Sequence, residues 1–419
     1  MSVRRRFKRL SGWSTPLIYV TFTIVVGVIL PRLEHRYLPS WDSTISVNSA
    51  IAITSAIASG MIALTGIVFS LIFVMVQFSA TAYSPRLVIW VARNPVMSHA
   101  LGMFTSTFIY ALFMLAWVDR ESSGVVPLIS GWLVFGLLLG SIAMFIALID
   151  RVAMLQINRM LIFTGDQGRK AIQDLFARSE RPASNWSELE SSKVTQTVTF
   201  TGRPQVIQLI DLDELLRLAA EAGGIVEVAA AVGDTLLEGS PLVRVRDARK
   251  RVEEAALAKA FSLGDERTFE QDPKYALRLV VDIAIKALSP AINDPTTAVQ
   301  ALDQIEDLLL RLGRCNLDID ALRDEQGALR VLVPFPDWED FLRLGLDEIR
   351  FYGGTSVQVM RRMNALIHNL LENLPSGRRE ALNYWAKRLQ GTVQRSFSDS
   401  AEKQDASVAD RQGLGIAEE

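Results

Sequence analysis

The chain has 419 residues, enough for two or three domains. Its 44 Lys+Arg against 46 Asp+Glu leave a net charge of −2, which excludes the overall basic footprint of a nucleic-acid-binding protein. Mean hydropathy is +0.22 although 21% of residues are charged, so an apolar membrane portion is joined to an ordinary soluble one, and the single cysteine, Cys315, excludes an intrachain disulfide.

Arg4, Arg5, Arg6, Lys8 and Arg9 precede an uncharged run from Leu10 to Pro31. The run ends Val28-Ile29-Leu30-Pro31 without the small-x-small site of a cleaved leader, so it reads as a retained membrane helix over about 13–30. Ser43 to Pro85 holds no charged residue and gives a second helix over about 50–78. Two further uncharged runs give helices over about 98–118 and 125–149, and each of the four can cross a bilayer. Trp13, Trp41, Trp90, Trp117 and Trp132 mostly fall near the expected span ends, as an aromatic belt does.

Lys/Arg bias sets the expected orientation. The basic N-terminus, Arg86 and Arg93 after the second helix, and Arg151, Arg159, Arg169 and Lys170 after the fourth lie on one side. Arg32, Arg36 and Arg120, diluted by Glu34, Asp42, Asp119 and Glu121, lie on the other. Both termini and the region beyond Asp150 are therefore expected in the cytoplasm, with the helices in a bacterial inner (cell) membrane.

The second helix carries a pattern. Ser55, Ser59, Gly66, Ser70, Gln77 and Thr81 fall within about 80° of arc at roughly 100° per residue. The remaining surface is bulky, with Ile57, Met61, Leu64, Ile67, Val68, Phe73 and Val76 among it. Two readings stand. Ser55-xxx-Ser59 and Gly66-xxx-Ser70 are small-xxx-small pairs that let backbones approach, as is Gly136-xxx-Gly140 in the fourth helix. Alternatively the stripe lines a permeation path, and Gln77 is a poor residue to leave facing lipid. At the end of this helix Ser84-Pro85-Arg86 marks a stop or kink, because proline disfavours helical angles at the preceding residue. Arg86 is then either a snorkelling headgroup contact or part of a basic ring at a pore mouth.

After the fourth helix, residues 151–193 read as a juxtamembrane helix, broken near Gly165, and a polar linker with Pro182. Residues 194–246 alternate short apolar runs with Gly-Asp and Glu-Gly turns and predict a small β-barrel or sandwich. Its rhythm is similar to that of biotinyl and lipoyl carrier folds, but no lysine lies between Lys193 and Lys250 to carry a swinging arm. Residues 247–397 predict a helical domain. Asp272-Pro273 and Asp294-Pro295 each start a helix, aspartate as N-cap and proline as first residue. Between these helices Ser289, Asn293, Asp294, Thr296 and Thr297 gather five polar side chains, either for local capping or for a ligand, ion or subunit contact. Asp282 and Lys286 are expected to pair on the surface. Residues 398–419 are polar and expected to be disordered.

Three stretches carry a resemblance: Gly60 to Arg86 ending in Tyr83-Ser84-Pro85-Arg86, the Leu279 to Ala298 block with its Leu-Ser-Pro-Ala-Ile-Asn-Asp-Pro run, and Ile349-Arg350-Phe351-Tyr352-Gly353. Over nearly the whole chain it resembles an uncharacterised bacterial family of predicted membrane proteins, a domain of unknown function. The resemblance implies a multi-pass cell-membrane protein with a cytoplasmic domain and implies no reaction.

The residues themselves argue against an enzyme. His35, His99 and His368 lie in three different regions, no zinc-ligand spacing exists, and no Gly-x-Ser-x-Gly elbow is present. No catalytic residue, metal or cofactor is expected. The fold expectation is an α-helical multi-pass membrane protein with four transmembrane helices and a mixed α+β cytoplasmic region. Two functions follow: an oligomeric channel or pore for an ion or small solute, regulated by the cytoplasmic domain, or a membrane-anchored scaffold or sensor. Four helices are few to enclose a path, so the channel reading expects a homo-oligomer. The expected partners are the bilayer and further copies of the chain, with no nucleic acid.

Overall fold

The computed structural model describes residues 14–37, 45–82, 95–120, 126–153, 157–176 and 192–415. They form two compact units that divide between residues 156 and 157.

The N-terminal unit holds α1 (Ser14–Tyr37), α2 (Val47–Ala82), α3 (Pro95–Arg120) and α4 (Leu128–Ala153). All four are long and apolar enough to cross a membrane. α1 does not stop at Leu30 but continues through Pro31. Proline leaves the carbonyl one turn earlier without its usual N–H donor. The guanidinium of Arg32 donates to the neighbouring Val28 carbonyl, and Pro31 itself is buried against the unit. α2 spans 36 residues, about 54 Å at 1.5 Å per residue, well beyond a hydrocarbon core of about 30 Å. α3 is the central helix. A Cβ on Gly27 of α1 would lie 2.9 Å from Phe113, and one on Gly102 of α3 would lie 2.9 Å from Tyr19. These two glycines let the helices approach closely. Buried Thr107 of α3 meets Ser141 of α4 at 2.8 Å, a polar link between spans.

The C-terminal unit begins with α5 (Ile157–Phe176), which runs unbroken through Gly165. Its glycines serve packing. A Cβ on Gly168 would stand 2.8 Å from Leu308 and 2.9 Å from Ala276, and Gly165 lies directly under Gln304. The helix expected as a juxtamembrane connector is thus built into the core of this unit.

Strands and helices then alternate: β1 (Val194–Thr199), β2 (Gln205–Ile210), α6 (Leu212–Ala222), β3 (Ile225–Val228), β4 (Thr235–Leu236), β5 (Pro241–Arg246), α7 (Glu254–Lys259) and β6 (Phe261–Gly264). Next come α8 (Pro273–Ala287), α9 (Pro295–Arg314), β7 (Ala321–Arg323), β8 (Leu329–Leu332), α10 (Trp338–Tyr352), α11 (Val357–Asn373), α12 (Arg379–Ser396) and α13 (Ser400–Ser407). The strands make a five-stranded sheet in the order β1-β5-β3-β8-β7 and a three-stranded sheet β4-β2-β6. No closed barrel forms among the described residues, and the two sheets share one apolar core that includes Ile207, Val226, Val243 and Val331.

The boundary expected at residue 246 does not exist. β3 pairs in parallel with β8, Val226 opposite Val331, and β2 pairs with β6 across that point. Alternation around residues 194–246 reveals strands but not partners arriving from far along the chain.

α8 is almost wholly enclosed by α5, α9 and α10, with Leu277, Val280, Val281 and Ala284 buried. The C-terminal segment is ordered as far as residue 415 rather than disordered. Asp399 caps α13, accepting from the Ala401 N–H, and Ala406 is buried. Arg361 donates to the Asp405 carbonyl at 2.6 Å and Asn364 to that of Ala406 at 3.1 Å. Composition misses this because the order comes from donors on α11, not from apolar bulk in the tail.

Candidate functional site

Among the described side chains, the face of α2 that packs on the rest of the chain includes Ala50, Thr54, Ile57, Ala58, Met61 and Val68, all buried. At 100° per residue these residues centre about 160° from the stripe. Ser55, Ser59, Gly66, Ser70 and Gln77 are accordingly exposed on the single chain, and a Cβ added at Gly66 would meet nothing within 4 Å. Within the subunit the stripe is therefore not a packing seam. Asn48, Ala52 and Ala63 share its arc and are also exposed. Phe73, counted above with the bulky surface, falls at the edge of that arc, level with Ser55, and is 64% exposed. Thr81 lies in the last turn of α2, while Ser84, Pro85 and Arg86 lie outside the described residues.

Sequence reasoning placed Glu34 in a loop. It is buried on the last turn of α1 and binds the start of α4. The Ile129 N–H donates to its Oε1 at 2.6 Å, and the Ser130 N–H and hydroxyl donate to its Oε2 at 3.0 and 2.9 Å. A carboxylate satisfies the free N–H groups there and complements the helix dipole. Its only signal in the sequence is a charge shortly after the first apolar run.

The polar motif of the C-terminal unit is a tight connection between α8 and α9. Asp294 caps α9, accepting from the Thr297 N–H at 3.1 Å and the Thr297 hydroxyl at 2.6 Å. Ser289 donates to the Lys286 carbonyl at 2.7 Å, and its own carbonyl accepts from the Asn293 N–H at 2.9 Å. Asn293 sits at φ +50, a left-handed position that asparagine tolerates. The geometry of Ser289, Asp294 and Thr297 is that of a connector. Asn293 and Thr296 are exposed. Asp282 pairs with Arg278 at 2.7 Å, and Arg278 also binds Glu348 of α10.

Further charges are buried. Arg362 of α11 donates to Asp303 at 2.9 Å and also binds Glu306, both on α9, which joins the two helices. Asp272, 1% exposed, caps α8 and receives Arg267 at 2.9 and 3.0 Å. Burial pushes its pKa above the usual carboxylate value despite Arg267 and the Tyr275 N–H. Burial likewise raises the Cys315 thiol. Among the described residues, no three His, Cys, Asp or Glu side chains cluster closely enough to hold a metal ion.

Four long apolar helices followed by a mixed α/β unit define a multi-pass membrane protein. The chain belongs to the family described as "Predicted membrane protein (DUF2254)", whose model matches residues 9–369. It is 26% identical over 406 residues to uncharacterized proteins Mb1321c of Mycobacterium bovis and Rv1290c of Mycobacterium tuberculosis H37Rv, covering 93% of this chain and 78% of each relative. No solved structure matches.

Proposed function

We propose that this chain is the subunit of a homo-oligomeric pore in the bacterial inner membrane, with α2 lining a path for an ion or small solute and the C-terminal unit regulating it from the cytoplasm. One observation carries the reading: the hydroxyl and glycine face of a charge-free spanning helix points away from its own subunit. Copies arranged around an axis would turn that face toward each other and toward water, satisfying serine hydroxyl groups that lipid cannot. Phe73 on the same arc would form the apolar constriction of such a path. The reading assigns the chain no chemical reaction.

The test is accessibility in liposomes. Cysteines at Ser59, Gly66 and Ser70 react with a membrane-impermeant thiol reagent if the arc lines water, and the reagent blocks flux. Phe73→Ala raises flux several-fold. Protected cysteines together with silent flux would leave the scaffold or sensor reading, in which the C-terminal unit retains a partner.

A further inference from the structure

Helices α5, α9 and α11 run in one direction, α8 and α10 in the other. Gly165 and Gly168 of α5 face Gln304 and Leu308 of α9 in the same order. Arg362 of α11 meets Asp303 and Glu306 of α9. Arg278 of α8 meets Glu348 of α10, and Gly353, capping α10, sits beside Leu288, capping α8. One end of the unit therefore collects the starts of α5, α9 and α11 and the ends of α8 and α10.

That end carries exposed apolar groups. Ile292 in the α8–α9 connection is 43% exposed, Phe351 72% and Tyr352 52%. The two aromatic rings meet edge to face with centroids 5.3 Å apart. No charged residue occurs from Ala287 to Asn293 or from Phe351 to Met360. Chain connectivity says what lies nearby. Only residues 154–156 separate α5 from the helix whose span reaches Asp150, a connection of at most about 14 Å. The start of α5 is tied to the bilayer surface, and the apolar groups lie at the end of the unit where α5 starts.

We infer that Ile292, Phe351 and Tyr352 form an interfacial anchor that seats this end of the C-terminal unit in the lipid headgroup region. Isoleucine and phenylalanine enter the acyl boundary, and the tyrosine hydroxyl stays among headgroups. The anchor stands whether or not α2 conducts.

The experiment uses the full chain in liposomes in a Cys315→Ala background, with spin labels at Ile292→Cys, Phe351→Cys and, as a control, Glu325→Cys. Glu325 is exposed in the β7–β8 turn, beyond the opposite end of α9. All three positions are on the surface, so the fold tolerates the labels. Collision with lipid-soluble oxygen relative to a water-soluble nickel complex should be several-fold higher at 292 and 351 than at 325. Equal nickel access at all three sites overturns the anchor. So does spin–spin broadening at 292 or 351 that disappears on dilution with unlabelled chain, which would put a second copy on the patch.

Discussion

Buried charges in this protein act as joints between helices. The Arg362 side chain, 4% exposed, ties α11 to Asp303 and Glu306 of α9. Arg362→Leu removes a buried guanidinium from partly buried Glu306 and half-exposed Asp303, at a cost of about 1–3 kcal/mol; denaturant unfolding of the C-terminal unit measures it. Glu34→Ala leaves the buried donors at the start of α4 without their acceptor and removes a cap, at a cost of about 1–2 kcal/mol, read as a lower melting temperature in detergent. Asp324 offers a pH prediction. The Arg330 bond, with N–H groups of Ala328 and Gln326, holds its pKa below the usual carboxylate value. The folded state therefore favours the ionised form. Its stabilising contribution is present above the ordinary carboxylate range and lost as pH falls through the lowered pKa. Asp324→Ala should flatten the acid dependence of hydrogen exchange in the β7–β8 hairpin.

Elements were legible in the sequence where a periodic pattern and a capping residue agreed. Asp272-Pro273 and Asp294-Pro295 start α8 and α9 with the expected N–H to aspartate bonds. The four spanning helices were legible from uncharged runs alone. Glycine was ambiguous. Gly165 reads locally as a break, yet it and Gly168 lie where α9 and α8 come too close for a side chain. Nothing local separates those meanings, because the deciding atoms sit more than a hundred residues away. Gly168→Ala should cost about 1–3 kcal/mol by overpacking, whereas Ala substituted at Gly377, where a Cβ meets nothing within 4 Å, should leave stability near wild type. The parallel β3–β8 pair was illegible for the same reason. The α2 stripe was legible as a stripe, but the direction it faces required the packing of α3 against the other side of the helix.

At the scale of the molecule, the chain joins an apolar unit, whose second helix leaves a face of small and polar residues exposed, to an α/β unit whose core begins within a few residues of the last span. Flux through liposomes containing the purified full-length chain tests the pore most directly. The wild type should pass an ion or small neutral solute, Phe73→Ala should pass more, and Gly66→Leu, which fills the small-residue arc, should pass less. Identical, background-level flux from all three, in protein that inserts and folds, would contradict the account.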